Sequence, residues 1–115
     1  MAYDDFDVVV YKLLSYYYGC IKAGVAPSLT KSKEVARVNE IYFSAVIRSL
    51  FDSGYVTGVR TGAWGGDTVL LEDVAITQAG AAYLSENSKM AKVRKFLGSA
   101  FDKALMVAIE ATKAL

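Results

Sequence analysis

Histidine is absent from this 115-residue chain, and its absence narrows every chemistry the other residues could carry. A serine, threonine or cysteine nucleophile needs a base beside it, usually an imidazole. Cys20 is the single cysteine, so no disulfide can close within the chain and no ordinary zinc site can be assembled. The carboxylates offer no better start. Glu72 and Asp73 are neighbours on an extended stretch and point to opposite faces, which makes no acid–base pair. Asp4, Asp5 and Asp7 open a helix, where the dipole already accounts for negative charge. GAWGGD, residues 62–67, lacks the Gly-Lys-Ser/Thr ending of a phosphate loop. The chain is therefore expected to be no enzyme and to use neither metal nor cofactor.

The remaining polar residues suit contact rather than reaction. Lys31, Lys33, Arg37, Asn39, Ser44, Arg48 and Arg60 lie in the stretch 22–60, where six cations face three acids although the whole chain carries only +1. In that pattern they are candidates for phosphates and base edges of double-stranded DNA. The same residues also suit a plain solvated face, and Glu40 would meet phosphates unfavourably. A nearly neutral total is far from the strongly basic balance of a non-specific DNA coat. Trp64 sits among Gly62, Gly65 and Gly66. An exposed tryptophan there fits a protein interface better than a phosphate; the alternative is that it folds back onto the domain.

These residues need elements to position them. Residues 4–23 read as a helix whose core stripe is Phe6, Val9, Val10, Leu13, Leu14, Tyr17 and Ile21, with Gly24 ending it. Tyr16, Tyr17 and Tyr18 are consecutive, so one or two must lie near the surface, and packing against the C-terminal helix is the favoured use of the others. VAPSLT holds the only proline, Pro27, and reads as a loop. SKEVARV allows two helical turns, with Ser32 as cap and Val35 and Val38 facing inward. Asn39 caps the next helix, residues 40–53, with Phe43, Val46, Ile47, Leu50 and Phe51 on its apolar stripe and Gly54 past its end. YVTGV and TVLLEDVAI then form a hairpin over 55–76 with its tip at 60–68. The fold class that follows is α+β, mainly α: a winged helix-turn-helix of three helices plus a two-stranded wing. The helix over 40–53 takes the place of the recognition helix.

ITQAGAAYLSEN begins a fourth, short helix with Thr77 as cap, and Gly80 lets one face lie close against a neighbour. Residues 1–88 make the winged-helix domain. Lys89 to Leu115, opening with the basic run Lys89, Lys92, Arg94 and Lys95, reads as one unbroken Ala-rich helix about 40 Å long. It belongs to the same domain or serves dimerisation. Its apolar arc is wider than packing on one side requires. Leu97, Phe101, Ala104, Leu105, Ala108 and Ile109 would then leave apolar surface uncovered, and a homodimer is expected to bury it. The competing outcome is that the helix folds fully onto its own domain.

The acidic-start helix, GYVTGV at 54–59 and ITQAGAAYLSENS leading into a Lys-rich helix at 76–95 resemble the YjcQ family, small winged-helix proteins of Gram-positive bacteria and their phages. The resemblance covers nearly the whole chain and implies the fold, but no catalytic residues. Two functions fit it. One is a DNA-binding transcriptional regulator of phage or prophage type. The other is a phage-encoded module that binds or inhibits a host protein complex. No run approaches the length of a membrane span and no signal peptide opens the chain, so a cytoplasmic protein without a membrane partner is expected.

Overall fold

The computed structural model describes the backbone of residues 1–61 and 69–115 and the side chains of residues 1–59 and 73–115. Helix α1, Phe6–Ala23, carries Asp7 in its first turn and ends at Gly24 in the left-handed region, whose N–H bonds to the carbonyls of Cys20 and Ile21. Burial along α1 differs from a single stripe. Phe6 and Ile21 are exposed, whereas Tyr11, Lys12 and Tyr16 are buried. The cause is tertiary: the four later helices and the second strand all touch α1, so apolar side chains find cover on several sides. Of the three consecutive tyrosines only Tyr18 is exposed.

Helix α2, Leu29–Ala36, begins before the expected cap. Ser28, just after Pro27, accepts from the Lys31 N–H at 3.2 Å and is the true N-cap. Ser32 is buried inside the helix, donating to the Ser28 carbonyl at 2.8 Å and accepting from the Tyr17 hydroxyl at 3.1 Å. A left-handed Arg37 turns the chain, and Asn39 caps α3, Glu40–Asp52, through the Tyr42 N–H at 2.8 Å. Phe43, Val46, Ile47 and Leu50 fill the core from α3. Phe51, at the edge of that stripe, is exposed.

Strands β1, Val56–Thr61, and β2, Val69–Ile76, pair antiparallel. Their register shifts between Thr57↔Ala75 and Val59↔Leu71, where Gly58 and Asp73 both take positive φ. Thr77 caps α4, Gln78–Glu86, through the Gly80 N–H at 3.0 Å. A Cβ on Gly80 would fall 2.2 Å from the Tyr55 carbonyl oxygen, so this helix approaches the β1 entry as closely as only glycine permits. Three helices followed by a hairpin make a winged-helix-like arrangement, to which α4 and α5 are added.

Helix α5, Ser88–Lys113, is not one straight rod. Gly98 sits at φ 68° and ψ −164°, outside helical geometry, and divides it. Before the break Met90 and Val93 are fully buried in the core. After it the chain packs along α1 and α2, and the buried Thr112 hydroxyl lies 2.7 Å from the Tyr16 hydroxyl. Ile109 comes so near Gly19 that a Cβ there would meet its Cδ1 at 2.3 Å. None of the described helices is long and apolar enough to cross a membrane.

Candidate functional site

The helix-turn-helix residues scatter in their uses. Asn39 turns its side-chain oxygen to the α3 N-terminus, because unpaired N–H groups there need an acceptor. Lys33 pairs with Glu40 at 3.0 Å across the turn. Ser44 is buried. Arg48 is half-buried on α3. Arg60 stands in β1, its side chain outside the described residues, and Trp64 also lies outside them. Along α3 the exposed positions are Glu40, Ile41, Ala45, Phe51 and Asp52, and Ile41 keeps 73 % of its surface in solvent.

The first turn of α3 is also close to acid. The Tyr42 hydroxyl donates to the Asp4 carbonyl, and its ring stacks on Phe6 with centroids 6.1 Å apart. Burial, followed by the charges of Asp4, Asp5 and Asp7, raises the Tyr42 pKa.

Lys31 and Arg37 face elsewhere. Together with Lys12 they border a cavity of about 440 Å³ between α1, α2 and the part of α5 from Leu97 onward. The opposite wall is apolar: Leu97, Phe101, Ala104, Leu105 and Ala108 all line it. Residues that the sequence assigns to two separate surfaces, one for nucleic acid and one for a protein interface, thus meet around one hollow. Leu97, Phe101, Leu105 and Ala108 are half-buried against their own domain, while Ala104, Met106 and Val107 are exposed. Tyr3 and Glu34 complete the rim, and the Tyr11 ring lies 5.9 Å from that of Phe101 behind the wall.

Charge in the cavity is unevenly satisfied. Lys31 pairs with Glu34 at 3.0 Å. Lys12 is 7 % exposed, and its ammonium donates to the Tyr3 carbonyl at a long 3.4 Å. An ammonium has three donors, and among the described residues no carboxylate lies within ion-pair distance of this one. Burial, then repulsion from Arg37, lowers the Lys12 pKa, and Asp4 only partly offsets them. The sequence reading missed Lys12. Its signal was present: a lone cation inside VVVYKLL, where every neighbour is apolar.

A family model described as YjcQ protein matches residues 11–102. The chain belongs to the YjcQ family. No curated protein and no solved structure matches it. Within this YjcQ chain the match takes in the helix-turn-helix, the wing and α4, and extends four residues past the Gly98 break. Much of the cavity's apolar wall, from Ala104 to Ala111, lies beyond it.

Proposed function

We propose that this YjcQ-family protein is a non-enzymatic binding module that recognises a partner protein through the outward face of α3. The observation that carries this is the character of that face. A winged helix that reads a duplex lays this helix in the major groove, with cations nearby for the phosphates. Here the exposed positions are Ile41, Ala45 and Asp52, flanked by Glu40 and Phe51, and the one cation on this face is the half-buried Arg48. The neighbouring cations have other uses: Lys33 pairs with Glu40, Lys31 pairs with Glu34, and Arg37 borders the cavity. Exposed Ile41 and Phe51 would supply the apolar centre of a protein contact, with the carboxylates at its polar rim. Asp4, Asp5 and Asp7, near Tyr42, add negative charge at the end a phosphate backbone would approach.

Two measurements test the reading together. Fluorescence anisotropy with mixed-sequence duplex DNA at low salt is expected to show no binding. Affinity capture from cells that make the protein is expected to retain a partner with wild type and with Lys113→Glu, and to lose it with Ile41→Asp. Ile41 is so exposed that its replacement leaves the fold intact. Salt-dependent DNA binding, abolished by Arg48→Glu, would overturn the proposal in favour of a DNA-binding regulator.

A further inference from the structure

We propose that the cavity between α1, α2 and the second half of α5 binds a small amphiphilic anion, an aliphatic monocarboxylate, with its head on Lys12 and Arg37 and its tail along the α5 wall. The volume, about 440 Å³, falls in the range of small-molecule sites, which are mostly apolar with a few convergent polar groups. Leu97, Phe101, Leu105 and Ala108 supply the apolar side.

Charge selects the head. Lys12 is more than nine-tenths buried, borders the cavity and holds a single long hydrogen bond. A buried charge is costly unless paired, and the pair it lacks is an anion. Arg37 is exposed but borders the same cavity, so one carboxylate can meet the buried ammonium and a guanidinium together. Its planar guanidinium suits a carboxylate in particular. Lys31 contributes less, because Glu34 already neutralises it. That acid also disfavours a multiply charged ligand and supports a single negative charge. The α5 wall then gives the tail an apolar surface to cover.

Isothermal titration calorimetry of the full chain with straight-chain monocarboxylates, from hexanoate to decanoate below their micelle concentrations, tests this. One site per chain is expected, with affinity rising about fourfold for each added methylene. The alcohol of matching length should bind at least tenfold more weakly, and the alkyltrimethylammonium should not bind. Lys12→Met keeps the aliphatic stem and removes the charge. It is expected to weaken the carboxylate at least tenfold and leave the alcohol unchanged, a split that mere loss of folding cannot produce. Ala104→Trp fills the hollow from an exposed position and should abolish both.

Equal affinity for carboxylate, alcohol and ammonium would overturn the proposal, as would more than one molecule bound per chain. So would sedimentation showing a homodimer whose formation leaves no carboxylate site, because the occupant of the hollow would then be a second copy of this chain.

Discussion

Helix α1 and helix α5 are both rich in apolar residues, yet they stand in opposite relations to solvent. Ten of the 18 residues of α1 are buried, against three of the 26 in α5, a gap wider than the difference in their apolar content. Position in the architecture accounts for the rest. α1 touches every other described helix and β2, whereas α5 beyond Gly98 lies on one side of α1 and α2 and leaves a hollow between. The first helix is a central pillar of the core. The last supplies a wall whose inner side is half wet. An apolar run therefore reports how much cover a helix can use, and the fold decides how much it receives.

The widest expected gap between the two helices comes from truncating a leucine in each. Leu14 is 0 % exposed, so Leu14→Ala should cost about 2–5 kcal/mol, transfer and cavity terms together. Leu105 is half-buried beside an existing hollow, and Leu105→Ala should cost about 1 kcal/mol. Urea denaturation of both variants measures the difference. Equal losses would mean that α5 is as fully covered as α1.

A smaller effect sharpens the contrast within α5 itself. Gly98 combines positive φ with ψ near −164°, a region essentially reserved for glycine. Gly98→Ala should cost about 1–3 kcal/mol. Hydrogen exchange should quicken over residues 99–113 and stay slow around Met90 and Val93. Uniform quickening would show that both halves of the helix unfold as one unit.

The subtlest expectation is a response to alkaline pH, where the pillar and the hollow act with opposite sign. Tyr17 is fully buried, and burial raises its pKa well above the ordinary value of about 10. Its contribution to stability is complete below pH 10 and declines above it, as the unfolded state alone ionises. Lys12 has a lowered pKa, so between that value and the ordinary value of about 10.4 the unfolded state binds more protons and stability rises with pH. Urea titrations from pH 8 to 11 should show a shallow rise followed by a fall. Lys12→Met should remove the rise and Tyr17→Phe should soften the fall.

Much of the frame was legible along the chain because it rests on local physics. Asn39 and Thr77 cap the helices expected of them, since a side-chain oxygen at that position satisfies orphan N–H groups without outside help. Gly24 ends α1, and the apolar run after Gly54 pairs as a hairpin. The start of α2 was misplaced because Pro27 and Ser28 read equally well as loop or as helix entry, and only the Ser28 hydroxyl on the Lys31 N–H distinguishes them. The break at Gly98 was hidden because a single glycine inside a helical pattern is commonly tolerated for about 1 kcal/mol. The cavity was harder still. It depends on tertiary packing that brings Leu105 and Lys12, far apart in sequence, to border the same space. No local periodicity reports such a meeting.

The Gly98 break also separates two parts of α5 with different duties. The family pattern runs out at residue 102, just past it, while the segment that follows anchors through Thr112 to Tyr16 and builds the far side of the hollow. Substitutions at exposed wall positions such as Ala104 can reshape that wall while the caps, the hairpin and the Thr112–Tyr16 anchor stay in place.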